Sequence, residues 1–215
     1  MKSLEAIYNE HHTKRRPRGF MVDGEKRGAF LRHHIGKGRI ILDIGCRDGA
    51  LTSTYCAGNT VTGLDIDSEA LDYAKEKLGI SIKQTDLNGD WDVEDGGYDV
   101  VVAAEVIEHL YYPERVIQRV KSALTPEGFL IGSVPHAFAL QSRLRFLFGT
   151  KNNTPMIDPT HITHFHHKEL QNLLEDSFEE VEVKGITSWK FRWISGLFPF
   201  LFAYDLLFYA RKKKA

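Results

Sequence analysis

Cysteine is scarce. The 215 residues contain only Cys46 and Cys56, and the two form no C-x-x-C pair. A disulfide framework and a structural zinc site built on cysteines are therefore not expected, and a reducing, cytoplasmic setting is. An excess of one charge is missing as well: 28 Lys and Arg stand against 29 Asp and Glu. No global field gathers nucleic acid or a membrane surface, so partners must be read locally. The opening "MKSLEAIYNEHHTKRRPRG" carries charges and histidines where a secretory signal has an apolar core. The most apolar stretch, "WISGLFPFLFAYDLLFYARKKK", is interrupted by Gly196 and Pro199, and its uncharged run before Asp205 is too short to span a bilayer. Internal repeats and low-complexity tracts are absent. What remains is a 42% hydrophobic chain of a length that suits one domain with one sizeable core.

From Arg39 onward, short β-branched runs alternate with amphipathic helical stretches, the pattern of β-α-β units and a mostly parallel sheet. Strands are expected at "RIILDIG", "NTVTGLDID", "ISIKQTD", "YDVVVAAE" and "GFLIGSV", where near-continuous Val, Ile and Leu mark burial on both faces. Between them, "SEALDYAKEKLG" opens with Ser68 as N-cap and stops at Gly79. "PERVIQRVKSAL" repeats the device with Pro113 in its first turn. After the helix "HHKELQNLLEDS" come two further strands, "FEEVEVKGITSW" and "YDLLFYARKK". The reading is one doubly wound α/β domain over 1–215. A helical extension over 1–38 and a weakly periodic insertion over 136–165 are candidate covers for a site.

The stretch most charged with meaning is "ILDIGCRDGALT" at 41–52. Gly45 and Gly49 come after a buried strand, where they permit a sharp turn and let a ligand approach bare backbone. A dinucleotide fold wants G-x-G-x-x-G, and in this register Arg47 and Ala50 occupy its second and third glycines. Acids recur at three successive strand ends: Asp43, Asp65 and Asp86. An acid about 20 residues past the turn suits two ribose hydroxyls. Clustered carboxylates also suit a cationic ligand such as a sulfonium with an α-amino group, and a pyrophosphate does not fit them.

At these residues the sequence resembles the class I S-adenosylmethionine-dependent methyltransferases, in the small-molecule group that includes the ubiquinone O-methyltransferases. "LDIGCRDG" resembles motif I, "VTGLDID" motif II, "TDLN" the adenine-contacting segment and "YDVVVAAEVIEHL" the fourth strand with the helix after it. The resemblance implies a Rossmann-like, seven-stranded sheet whose last strand, "YDLLFYARK", is antiparallel. It implies S-adenosylmethionine as cofactor, with Asp43, Gly45, Cys46 and Gly49 around its methionine part. Asp65 would hold the ribose with Ile66 against the adenine, Asp86 and the Leu87 backbone would meet the adenine edge, and Glu105 would lie under the methionine end. Arg47 departs from the pattern, standing where many members have a third glycine. Cys46 is expected to serve by its small size in a tight loop.

Methyl transfer from a sulfonium is an in-line displacement, so an enzyme mainly aligns the acceptor and removes its proton. "EVIEHL" puts Glu105, Glu108 and His109 on one face if a helix has already begun. In the resembled group a histidine in a P-x-H context lies near the acceptor, which is His161 here, with His164 as its neighbour. One reading gathers Glu105, Glu108, His109 and His161 around a divalent metal that lowers the pKa of an acceptor hydroxyl, as in some relatives with a similar E-x-x-E-H stretch. Another leaves Glu105 bounding the cofactor pocket and makes His109 or His161 a metal-free general base. A third gives these histidines structural hydrogen bonds alone. His11, His12, His33 and His34 are expected on the surface.

For the acceptor, "FALQSRLRFLFG" interleaves apolar residues with Arg143 and Arg145, as a lid, an interfacial helix or plain cover for the sheet. "LFPFLFA" with the terminal "RKKK" suits a lipophilic acceptor or a peripheral membrane contact. "KRRPR" at 14–18 suits phosphate or RNA, but no aromatic platform accompanies it. The expected function is methylation of a small-molecule or lipid-linked acceptor, at oxygen. Two alternatives stand: an RNA methyltransferase, and a non-catalytic partner of an acyltransferase, since "TDLN" and "SVPHAFALQSRLRFLFG" resemble the methionine-biosynthesis family MetW. That second likeness fails at "EVIEHL".

Overall fold

The computed structural model describes residues 17–188, 191, 193 and 196–212. Seven strands form one sheet: β1 (Ile40–Ile44), β2 (Thr60–Asp65), β3 (Ser81–Gln84), β4 (Tyr98–Ala104), β5 (Leu124–Pro135), β6 (Phe178–Thr187) and β7 (Ala203–Lys212). Their order is β3-β2-β1-β4-β5-β7-β6. β1 to β5 pair in parallel, and β7 runs antiparallel to both β5 and β6. The expected seven-stranded, mostly parallel sheet with an antiparallel last strand is thus the observed one. Strand order reverses between β1 and β4, which opens a crevice at their C-terminal ends.

The alternation of side chains along each strand divides the core in two. Leu42, Ile44, Val101, Ala103 and Leu130 face α3 (Pro113–Ala123) and α5 (His167–Glu175), meeting Val116, Ile117, Val120, Leu170 and Leu174. Ile41, Val61, Val100, Val102 and Ile131 face the other way, onto Leu31 and Ile35 of α1 (Gly24–Ile35) and Ala74 of α2 (Ser68–Leu78). Because both faces are covered, the central strands need no polar side, which is why "VVVA" in β4 is apolar throughout.

Helix ends obey local chemistry, with one correction. The N-cap of α2 is Asp67, whose carboxylate accepts from the Ala70 N–H at 3.0 Å, and Ser68 is the first helical residue. Asp67 wins because its own N–H is held at 2.9 Å by Asp65, which fixes the extended backbone a cap requires. Gly79 closes the helix in a left-handed conformation, as its sequence position suggested. At α5 the cap is His166, paired with Glu169 in a reciprocal capping box.

The N-terminal extension supplies α1; residues 1–16, including His11, His12 and the start of "KRRPR", lie outside the described residues. The insertion at 136–165 contains α4 (Leu140–Leu147) and a single turn over Pro155–Ile157. Its end folds back on the segment after β4, since the Ile162 and Thr163 N–H groups both donate to the Glu108 carbonyl at 2.9 Å. Among the described residues no helix is long and apolar enough to cross a membrane.

Candidate functional site

The crevice at the β1–β4 switch is a cavity whose wall includes Gly45–Asp48, Asp65, Ile66, Asp86, Leu87, Glu105 and His109. Its floor is the glycine turn. The Gly45 N–H donates to the Leu64 carbonyl at 2.7 Å, so the turn is tied to β2 as soon as β1 ends. Gly45 has φ 70, and a methyl on its α-carbon would stand 2.2 Å from Val106 Cγ2. Arg47, the departure from the glycine pattern, adopts φ 50, a conformation strained for its type. Its N–H donates to Asp65 Oδ2 at 2.9 Å, a charge-assisted bond that offsets the strain.

Two of the expected ligand residues lie elsewhere. Asp43 does not line the cavity; its buried carboxylate accepts from the Thr52 hydroxyl at 2.6 Å and the Tyr55 hydroxyl at 2.5 Å. Burial raises its pKa to about 6 against the opposing pull of those two hydrogen bonds. Gly49 also stands off the cavity, where a side chain would meet Leu78 Cδ1 of α2 at 2.6 Å. Both therefore shape the turn from behind. After the turn the chain forms only a three-residue 3-10 segment, Thr52–Thr54.

Asp65 is buried with both carboxylate oxygens aimed by the backbone, Oδ1 by the Asp67 N–H and Oδ2 by that of Arg47, each at 2.9 Å. Asp86 is exposed at the cavity's outer end, with the Asn88 N–H on its Oδ1 at 2.9 Å. Cys46 is buried, and desolvation followed by the Asp43 and Asp65 charges pushes its thiol well above the usual range. It is inert packing in a tight loop.

Glu105 closes the inner end. No helix has begun there; the residue sits at φ 58, ahead of a 3-10 turn over Ile107–His109. This turns Glu105 away from Glu108 and His109. Its Oε1 accepts from the Ser133 hydroxyl at 2.9 Å, and its Oε2 lies 3.8 Å from Arg27 Nη2. Arg27, buried on α1, also reaches Asp205 of β7, Nε to Oδ2 at 3.4 Å. Burial and then the Glu105 charge push the Asp205 carboxyl well above its ordinary range. Arg27 lines the cavity, as do Phe20, Met21 and Val22 just before α1. None of these carries a motif, and only the topology brings them here.

Of the four donors grouped on the sequence, Glu108, His109 and His161 come together with candidate ligand atoms within 4.8 Å of one another, and Glu105 stands apart because its backbone turns it toward Ser133 and Arg27. The His109 Nδ1 faces the Thr160 carbonyl at 2.9 Å, which makes Nδ1 the protonated nitrogen and leaves the lone pair on Nε2. The His161 ring packs edge-on against it with centroids 4.8 Å apart. His161 is not on the cavity wall, and His164 lies behind it at 6.4 Å.

A methyltransferase-domain family model matches residues 11–177. The ubiquinone biosynthesis O-methyltransferase of Actinobacillus pleuropneumoniae serotype 5b is 35% identical over 106 residues, 45% of this chain and 45% of that protein. A probable S-adenosylmethionine-dependent methyltransferase of Mycobacterium tuberculosis is 28% identical over 168 residues, 73% of this chain and 58% of the other. The chain spans about half the length of the curated relatives it matches. Among solved structures, a Burkholderia thailandensis 1,6-didemethyltoxoflavin-N1-methyltransferase with bound 1,6-didemethyltoxoflavin and S-adenosylhomocysteine has a TM-score of 0.69. It is 17% identical and is matched over 96% of this chain and 85% of that one. A SAM-dependent methyltransferase from Archaeoglobus fulgidus has a TM-score of 0.68 at 22% identity, over 95% and 99% of the two chains. These last two speak for the fold. With the family model covering most of the described sheet, the chain belongs to the class I S-adenosylmethionine-dependent methyltransferases.

Proposed function

We propose that the protein transfers a methyl group from S-adenosylmethionine to an oxygen of a small-molecule or lipid-linked acceptor. The observation that carries this reading is the Asp65 carboxylate, buried in the switch-point crevice with both oxygens preset by backbone N–H groups. A carboxylate held that way suits a pair of hydroxyl donors such as a ribose offers.

The donor set fits the rest of the cofactor. Asp86 would accept from the adenine amino group, with Ile66 and the Leu87 segment against the ring. Gly45 and Cys46 would let the methionine part lie on bare backbone. Glu105 would meet the α-amino group, and the Arg27 guanidinium, which lines the cavity beside it, would meet the carboxylate. When bound, S-adenosylmethionine supplies an electrophilic methyl group on a sulfonium. The chain itself orients the acceptor and takes up its proton. His109, on the cavity wall with its tautomer fixed by Thr160, accepts that proton at Nε2, and His161 holds the imidazole in place. A divalent ion on Glu108, His109 and His161 is the second reading, favoured by their convergence; it would lower the pKa of the acceptor hydroxyl.

Oxygen as the target is supported by the O-methyltransferase relatives, of which the Actinobacillus protein matches 45% of the chain. A lipophilic acceptor is supported by the large apolar side chains exposed on α4 and ahead of β7, among them Leu147, Phe148, Trp193 and Leu197. Calorimetric titration with S-adenosylhomocysteine and S-adenosylmethionine tests the cofactor, and label from methyl-tritiated cofactor appearing in the organic phase of a lipid extract tests the acceptor. Absence of binding at about 1 mM ligand would overturn the reading.

A further inference from the structure

A second histidine group lies outside the cavity wall, at the end of β5 and the start of α5. His136, His166 and His167 offer nitrogens that all lie within 4.8 Å of one another. His136 comes directly after β5, His166 caps α5 and His167 begins it, and the Ala137 N–H bond to the Phe165 carbonyl ties the two segments together. Neither the cofactor cavity nor the methyl-transfer reading uses these side chains.

His136 is 1% exposed, and its Nδ1 faces the Ala203 carbonyl at 2.8 Å. That carbonyl fixes the proton on Nδ1 and puts the lone pair on Nε2. The Nε2 atom is itself buried and has no hydrogen-bond partner. His167 Nδ1 is in the same condition. Its ring is stacked on Phe200 with centroids 4.0 Å apart, which orients it without satisfying the nitrogen. Buried polar atoms without partners are rare, and two in one cluster of imidazoles call for a ligand that accepts lone pairs. His166 uses its Nδ1 on the Lys168 N–H at 3.4 Å, a bond long enough to be exchanged for a stronger one.

We propose that His136, His166 and His167 form a binding site for a divalent transition metal of the zinc class, with a water completing the coordination. Three imidazoles and no carboxylate suit zinc, copper or nickel; magnesium and calcium want oxygen. The carbonyl behind His136 is the outer partner that metal-binding histidines commonly have. In a tetrahedral site with metal–nitrogen distances of about 2.0 Å the nitrogens are about 3.3 Å apart, so the rings close by roughly 1.5 Å at most on binding. Two of the rings sit at the start of α5 and one at the end of β5. A bound ion therefore clamps the two ends of the insertion together.

The test is zinc titration of the full chain, freed of any histidine tag, in competition with a chromophoric chelator. The expected result is one equivalent bound at about micromolar affinity or tighter, with magnesium failing to compete. His167→Gln should weaken zinc binding by about 100-fold or more and leave S-adenosylhomocysteine affinity unchanged, which shows the variant is folded. His161→Gln, in the other histidine group, should leave the high-affinity equivalent in place. Cobalt substituted into the wild type should give a visible absorption band of low coordination number that His166→Gln and His167→Gln remove. Zinc binding no tighter than about 100 μM, binding indifferent to His167→Gln, or binding lost with His161→Gln instead, would each overturn the site.

Discussion

Adding one methyl group at Gly45 tests the glycine turn in a way that separates its two demands. The new carbon would lie 2.2 Å from Val106 Cγ2, where carbons rest at about 3.5–4.0 Å, so something must move by about 1.5 Å. Overpacking of this kind costs about 1–3 kcal/mol. The backbone at φ 70 adds about 1–2 kcal/mol for any residue with a β-carbon. Gly45→Ala should therefore lose about 2–5 kcal/mol of stability. Val106 is next in the chain to Glu105 and lines the same cavity, so part of the loss should appear as an affinity for S-adenosylhomocysteine reduced by about tenfold or more.

Val106→Ala removes the atom that is struck. Alone it forfeits the burial of two methyl groups, about 1.6 kcal/mol. In the double variant the overpacking share disappears and the backbone share stays. The two substitutions should then be less damaging together than their sum by about 1–3 kcal/mol, with part of the ligand affinity recovered. Urea unfolding monitored by circular dichroism gives the stabilities, and calorimetry gives the affinities. Additivity within about 0.5 kcal/mol would refute the claim that Gly45 is required by its contact with Val106.

Asp65→Asn keeps an oxygen acceptor but surrenders the charge, so S-adenosylhomocysteine affinity should fall by roughly 10- to 150-fold, the loss of about 1.5–3 kcal/mol of charge-assisted hydrogen bonding. Calorimetry showing less than about a threefold change would remove Asp65 from the ribose site. Asp43 makes a prediction about pH: its folded pKa is raised to about 6, so the folded state keeps a proton that the unfolded state releases from about pH 4. Stability from this group is fully present below pH 4, falls as pH rises to about 6, and is lower by about 3 kcal/mol above that. The difference in unfolding free energy between the wild type and Asp43→Asn should track that window; a difference that is flat with pH would show that the folded carboxylate titrates no higher than the unfolded one.

The sheet was legible in the sequence because each central strand is covered on both faces, and "VVVA" can hardly be read otherwise. The crevice was legible for a related reason: Gly45, Asp65, Ile66, Asp86 and Leu87 sit at strand ends, where chain direction alone brings them to one cavity wall. Misreadings came where local geometry departs from regular spacing. The stretch "EVIEHL" has helical spacing, yet the chain takes φ 58 at Glu105 and only three residues of 3-10 turn, so the carboxylate swings to Ser133 and Arg27. Asp43 has the position of a ligand residue, but Thr52 and Tyr55 stand close enough behind it to claim its oxygens.

Arg27 shows the other limit. Its segment, "GEKRGAFLRHHI", is an ordinary helix sequence, and nothing in it marks one arginine of two for burial. The reason lies in residues 78 and 178 positions further along: Glu105 after β4 and Asp205 in β7 present two carboxylates to one buried guanidinium. Two acids face one base at the inner end of the cavity, and burial, followed by the Glu105 charge, holds Asp205 against ionisation. On the proposed reading an ammonium would lie next to Glu105, and the carboxylate beside it would find Arg27. The zwitterionic end of S-adenosylmethionine carries both charges, so on the proposed reading Arg27 and Glu105 would take the same ligand as the glycine turn.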